Sequence, residues 1–309
     1  MTAQATSSFD LDEYLRRQCA VVDRALEHCL SNYPDASQTL YRAMRYGIFP
    51  GGKRIRPILT LAAGELLGAP QAHLLPFACA VEMIHVYSLI HDDLPALDDD
   101  DLRRGAPAAH KVFGEGMALL AGDGLLTEAF HLLSSAEATR DAPPELVVQA
   151  IHELARAAGA LGLVGGQALD LEAEEKTVDL ATVEMIHVRK TGALILAALR
   201  LGAQVARATS ADLARLSRYG EYLGLAFQIA DDILDSHSGE FGTAAESSHK
   251  EPKKATYPSV VGIVVARERL KELLNLSLIE LETFGARAVA LAAIARHVVG
   301  RAIHIDGAS

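Results

Sequence analysis

Apolar residues along this chain recur every three or four positions. Leu11, Leu15, Cys19, Val22, Leu26 and Leu30 set the pattern, which a helix with one buried stripe requires. The same period returns to the end of the chain. It predicts helices over roughly 10–31, 37–47, 53–67, 71–93, 115–136, 143–160, 163–174, 180–202, 210–237, 256–275 and 286–304. No segment alternates with the period of two that marks a half-buried strand. Pro50-Gly51-Gly52, Gly68-Ala69-Pro70, Gly105-Ala106-Pro107 and Pro143-Pro144 punctuate the connections. With no repeat and no boundary between composition zones, the expectation is an all-α fold in one domain over 1–309. Residues 236–255, SHSGEFGTAAESSHKEPKKA, are small, polar and aperiodic, which predicts a surface loop of the kind that closes over ligands.

Half of the residues are hydrophobic, aromatics make up 5% and Trp is absent. The core must therefore be built of Ala, Leu, Val and Ile on helices, which disfavours a sandwich or barrel. A formal charge of −11 argues against nucleic acid as a partner, because the summed field repels polyanions. Apolar runs are broken short of the ~18 residues of a membrane span, and Met1 to Asp10 carries no basic-then-apolar signal layout. The expectation is a soluble cytoplasmic protein with no membrane span. Cys19, Cys29 and Cys79 form no CxxC and read as small core residues in a reducing compartment.

The chemistry concentrates in Ser88 to Arg104, where a dense run of carboxylates precedes two arginines. Carboxylates gather a hard divalent cation that completes its shell with substrate phosphates, and arginine forks match phosphate oxygens. Asp92 and Asp93 end an apolar helix, and Pro95 is expected to bend the chain so that Asp98 returns toward Asp92. Asp99, Asp100 and Asp101 read as a solvated turn. His85 falls within ~20° of Asp92 on a helical wheel. Far downstream, Asp231, Asp232 and Asp235 share a ~100° arc with Gln228. Like charges so placed destabilise a helix unless a cation occupies the face. The neighbours Phe227, Ile229, Ile233 and Leu234 are apolar, so a metal site is favoured over a solvated acidic face.

Three basic clusters complete the set: Gly51-Gly52-Lys53-Arg54-Ile55-Arg56-Pro57, Arg103-Arg104, and Arg189-Lys190-Thr191-Gly192. Gly51-Gly52-Lys53 places a turn before a helix start, whose free N–H groups suit a phosphate. It lacks the G-x-x-x-x-G-K-[ST] pattern of a nucleotide loop. No Ser/His/Asp or Cys/His set offers a nucleophile.

In this order the clusters resemble the trans-isoprenyl diphosphate synthases, in particular the bacterial farnesyl diphosphate synthases. The blocks are GGKRIRP (51–57), EMIHVYSLIHDDLPALDDDDLRRG (82–105), AGDGLLTEAF (121–130), GGQALDLEAE (165–174), HVRKTGAL (187–194), GLAFQIADDILD (224–235) and TYP (256–258). The resemblance implies a helical bundle with a deep central cavity, a homodimer, and Mg²⁺ held by the aspartate motifs. It also implies a prenyltransferase: an allylic diphosphate ionises, isopentenyl diphosphate attacks the cation, and loss of a proton gives a product longer by one isoprene unit. The departing pyrophosphate takes that proton.

Carried over by position, Asp92, Asp93, Asp98, Asp231 and Asp235 bind Mg²⁺, with Asp232 close by. Lys53, Arg56, His85 and Arg104 hold isopentenyl diphosphate, while Arg103, Lys190, Thr191 and Gln228 serve the allylic partner. Thr191 and Gln228 also offer oxygens to the carbocation, and Asp170 is a lysine's partner. Tyr87 or Met83 limits the tail, and Tyr87 with the inserted Pro95-Ala96 matches the farnesyl pattern. One stretch departs from the family: where a Leu-Gly-Lys and an Asp are usual, this chain reads Phe241-Gly242-Thr243-Ala244-Ala245-Glu246. Lys254 fills the last basic position, and Lys250 or Lys253 stands in for the first. The competing readings are a geranyl or geranylgeranyl diphosphate synthase and a non-catalytic subunit of a heteromeric synthase. The two intact aspartate motifs argue against the last.

Overall fold

The computed structural model describes residues 9–31, 37–136, 140, 142–174, 176–240 and 256–303, with side chains omitted at 237–240. Within these the chain is helical apart from one two-stranded ribbon. The order is α1 (Leu11–Cys29), α2 (Gln38–Ile48), α3 (Ile55–Leu66), α4 (Gln71–Asp92), β1 (Leu102–Arg103), β2 (Ala106–Pro107), α5 (Ala109–Phe113) and α6 (Glu115–Ser134). There follow α7 (Pro144–Ala158), α8 (Leu163–Ala173), α9 (Leu180–His187), a π-helical segment Val188–Gly192, α10 (Ala193–Val205), α11 (Ser210–Glu240), α12 (Tyr257–Val261) and α13 (Ile263–Leu281). A 3₁₀ segment, Glu282–Ala288, and α14 (Val289–Ile303) end the described chain.

Side-chain caps start several helices. Asp10 accepts the Glu13 N–H at 3.0 Å ahead of α1, Asp179 accepts from Thr182 at 2.9 Å ahead of α9, and Thr256 with Ser259 closes a capping box on α12. Each such cap satisfies an orphan donor and contributes about 1 kcal/mol. The apolar stripe predicted for the first helix is the one buried: Val22, Leu26 and Leu30 are fully covered.

α4 sits at the centre, packed against α3 and α6, with α3 against α10 and α11 against α13. One hydrophobic cluster runs through these helices from Tyr14 to Ala302. By length and composition α4 is apolar enough to cross a membrane, and so is the stretch Pro144–Ala173, which corrects the expectation of short interrupted runs. For α4 the cause is its position: 78% of its most apolar window is buried, and a helix covered on all sides is apolar all round. Pro144–Ala173 divides into α7 and α8, of 15 and 11 residues, each shorter than the ~20 that a span needs.

Other differences from the expected elements are local. The helix expected over 180–202 continues, but through a π segment. The one expected over 256–275 breaks at Gly262, whose φ of +83° is cheap only for glycine. The ribbon pairs Leu102 with Pro107 and Arg103 with Ala106, where no strand was expected. α11 runs on to Glu240, into the stretch read as a loop from 236. The rest of that stretch, 241–255, lies outside the described residues, and Lys254, Lys250 and Lys253 with it.

Candidate active site

The first aspartate motif is a helix end followed by a tight turn. α4 stops at Asp92, Asp93 caps it, and the Asp98 N–H donates to the Asp92 carbonyl at 2.8 Å. That bond returns Asp98 toward Asp92, as Pro95 led one to expect. Asp93 behaves differently. It is buried, 2% exposed, and accepts from Arg103 Nε at 2.7 Å and from Arg103 Nη2. Burial raises its carboxyl above the ordinary range, against the pull of the Arg103 hydrogen bonds. Asp93 is thus the anchor of Arg103, which Asp100 also holds at 2.7 Å. Asp101 pairs with Lys111 at 2.6 Å.

The basic loop before α3 sorts its cations by backbone geometry. Gly51, Gly52 and Arg54 have φ of +86°, +149° and +48°. The left-handed Arg54 turns inward, where its buried guanidinium bonds Glu82 at 2.7 Å, Asp23 at 2.9 Å and the Ile48 carbonyl at 2.6 Å. Lys53 stays exposed and Arg56 half-buried. Arg104, also left-handed, donates to the Gly51 carbonyl. A Cβ on Gly52 would stand 2.6 Å from its Cζ, so a side chain there would displace this guanidinium.

Arg56 Nη1 lies 3.2 Å from His85 Nε2. Burial, then the positive charges of Arg56 and Arg104, drives the His85 imidazole well below its ordinary range. It is thus neutral near pH 7, with Nε2 as the acceptor for Arg56. Arg56 Nε is buried with no hydrogen-bond partner, a donor awaiting an acceptor.

The second motif faces this loop. Burial pushes the Asp231 carboxyl up to about 6, opposed by Arg301 and then Lys53, with Asp235 adding repulsion. Arg301 Nη1 stands 3.7 Å from Asp231 Oδ1. Asp235 is exposed. Asp232 is buried and turned away from this pair. Its Oδ2 accepts the Tyr257 N–H at 2.7 Å and lies 3.3 Å from His187 Nε2, while Oδ1 accepts from Gln228 Nε2 at 3.0 Å. Like Asp93, it is engaged by protein donors, here at both oxygens.

Beside it the π segment carries Lys190 and Thr191. Such a bulge re-aims side chains within a helix. Lys190 bonds Asp170 at 2.7 Å, the lysine partnership expected of Asp170, and Thr191 Oγ1 donates to Gln228 Oε1 at 2.8 Å.

Among the described residues no three His, Cys, Asp or Glu side chains form a ready-made metal group. Hard oxygen donors come instead as two pairs, Asp92 with Asp98 and Asp231 with Asp235. That donor set fits Mg²⁺, which takes one or two carboxylates and completes its shell with water and substrate phosphate. Sequence reasoning missed Arg301, which no motif marks, and the His187–Tyr257 pair that clasps Asp232.

A family model described as polyprenyl synthetase matches residues 37–282. A farnesyl diphosphate synthase of Geobacillus stearothermophilus is 42% identical over 96% of this chain and 99% of its own. A geranylgeranyl diphosphate synthase of Cyanophora paradoxa is 43% identical over 96% and 98%. Among solved structures, an FPP/GFPP synthase from Zymomonas mobilis, in its apo form, superposes with a TM-score of 0.84 at 39% identity, covering 94% of this chain and 98% of its own. With a basic loop, a hairpin arginine and two aspartate motifs arranged as above, the chain belongs to the polyprenyl synthetase family and is a short-chain trans-prenyltransferase.

Proposed function

We propose that this protein joins isopentenyl diphosphate to dimethylallyl and geranyl diphosphate and stops at farnesyl diphosphate, working with Mg²⁺ as a cytoplasmic homodimer. One observation carries the reading. Lys53 and Arg56, Arg104 from the hairpin, and Asp231 with Arg301 are remote in sequence, yet they lie within electrostatic reach of one another.

Lys53, Arg56 and Arg104 form a cationic wall suited to the diphosphate of isopentenyl diphosphate. Neutral His85 holds the Arg56 fork by accepting from it. Arg103 and Lys190 serve the allylic diphosphate, each kept in place by carboxylates when no substrate is bound. Asp92, Asp98, Asp231 and Asp235 are the residues that would hold Mg²⁺. When bound, the metal acts as a Lewis acid on the diphosphate oxygens and eases departure of the leaving group. The oxygens of Thr191 and Gln228 steady the allylic cation while the isopentenyl double bond attacks it, and the released pyrophosphate accepts the proton.

Support for the farnesyl length comes from α4. Tyr87 is 4% exposed and Met83 fully buried, which sets two bulky side chains below Asp92. A geranylgeranyl product is the second reading, favoured by the comparable identity to geranylgeranyl synthases. Chromatography of products from the purified protein with Mg²⁺, dimethylallyl diphosphate and isopentenyl diphosphate tests both. Farnesyl diphosphate as the end product is expected, a geranylgeranyl product selects the second reading, and no prenyl product overturns both. Size-exclusion chromatography with light scattering checks the dimer.

A further inference from the structure

We propose that Asp232 is a positioning residue: it fixes which end of the Gln228 amide faces Thr191, and thereby which atoms Thr191 presents to the reacting allylic group. The inference rests on the prenyl-transfer reading above.

A carboxylate only accepts hydrogen bonds. Asp232 Oδ1 faces Gln228, so the amide must turn its NH₂ toward Asp232 and its Oε1 toward Thr191. The orientation follows from the network, as amide orientations must. Thr191 then spends its single hydroxyl hydrogen on Gln228, and only lone pairs remain on its outward side. Every link from Thr191 through Gln228 donates toward Asp232. The chain has a direction, and Asp232 sets it.

The far end of the chain is fixed by backbone. Oδ2 accepts from the N–H of Tyr257, the first residue of α12, and lies beside His187, the last residue of α9, directly before the π segment that carries Thr191. The Tyr257 ring extends the clasp, donating from its hydroxyl to Glu184 at 3.1 Å.

This arrangement dictates what Asp232→Asn does. The Tyr257 N–H cannot turn, so the new amide gives it Oδ1 and presents Nδ2 to Gln228. Gln228 then inverts, its Nε2 faces Thr191, and the hydroxyl hydrogen of Thr191 points outward. A donor stands where a developing cation needs an acceptor. Dipoles aimed at developing charge are a large term in catalysis.

The test is a double-mutant cycle on purified protein with Mg²⁺, geranyl diphosphate and isopentenyl diphosphate. Asp232→Asn and Thr191→Val are each expected to lower kcat roughly tenfold to hundredfold. The KM for isopentenyl diphosphate and the Mg²⁺ half-saturation should stay within about threefold. If Asp232 acts through Thr191, the double variant is no slower than the slower single variant. Losses that multiply, or a shift confined to the melting temperature, overturn the proposal.

A charge-exchanged pair gives a second test that does not need Asp232→Asn to fold. Asp232→Asn combined with Gln228→Glu restores an acceptor-only group facing Thr191. It is expected to turn over about tenfold faster than Gln228→Glu alone, in which two carboxylates oppose each other. Equal or slower turnover overturns the proposal. An inactive wild type would break the functional reading itself, whereas an active wild type with a multiplicative cycle breaks only this one.

Discussion

The two aspartate motifs read alike in sequence and are built differently. The first lies where a helix ends and a turn begins; the second lies within a continuous helix. In both, the second member of the adjacent pair is buried. Asp93 binds an arginine, whereas Asp232 binds a backbone amide, a glutamine and an imidazole. The other members, Asp92 with Asp98 and Asp231 with Asp235, recur at the spacing each local geometry needs to put two carboxylates on one side. In the proposed function each set of three aspartates is a ligand pair plus an internal anchor, and the anchor's partner tells the motifs apart.

The hardest test of that division removes a ligand. Asp92→Ala or Asp231→Ala is expected to cut kcat by orders of magnitude at saturating Mg²⁺ while the far-ultraviolet spectrum stays native. Near-normal turnover in either would take the metal assignment away. Next in size is the anchor Asp93. Asp93→Asn leaves Arg103 with Asp100 alone. Breaking a buried pair costs about 3–5 kcal/mol, but Arg103 is 34% exposed, so about 1–2 kcal/mol is expected, read as a lower urea midpoint together with a raised allylic KM. An unchanged midpoint would return Asp93 to the ligands.

The Asp231 carboxyl supplies a pH test. In the fold it titrates near 6, above the ~3.9 of an unfolded aspartate. The folded state therefore binds the extra proton between those values, and stability falls as pH rises from about 4 to about 6. Asp231→Asn removes that penalty. With the side chain 36% exposed, screening reduces the gain to about 1–2 kcal/mol near pH 7, and it should vanish near pH 4. Urea melts at the two pH values decide it, and a gain of equal size at both would mean that the cause is not charge.

The smallest effect on stability is at Tyr87, whose hydroxyl is buried without a hydrogen-bond partner and whose ionisation burial pushes up to about 12. Tyr87→Phe should be neutral or stabilising by up to about 1 kcal/mol. Tyr87→Ala should lengthen the product, as chromatography would show. An unchanged length moves the floor to Met83.

The helices were legible because their stripes are long. α4 was read within a residue of its true end, since Pro95 and the acidic run interrupt its apolar face. The π segment was not, because one extra residue at Val188–Gly192 leaves hydrophobic periodicity nearly intact. The ribbon at 102–107 has two-residue strands, too short to show alternation. Within the candidate site, residue type chose segments that the fold brings near one another but could not sort members of one type. Lys53, Arg54 and Arg56 are all cations, and only the left-handed backbone at Arg54 turns it inward. Asp231 and Asp232 are adjacent on one helix, and only their neighbours, Tyr257, Gln228 and His187 around Asp232, tell them apart.

The inward arginine has one more consequence. Arg54 fastens the diphosphate loop to α1 through Asp23, to the end of α2 through Ile48, and to α4 through Glu82. Glu82 is next in sequence to Met83, one of the two residues proposed to gauge the tail. In the proposed function the ruler for product length and the tether of the phosphate grip therefore share a single rod, and redesigning one turn of it for longer products is expected to loosen the hold on the headgroup unless Glu82 keeps its place.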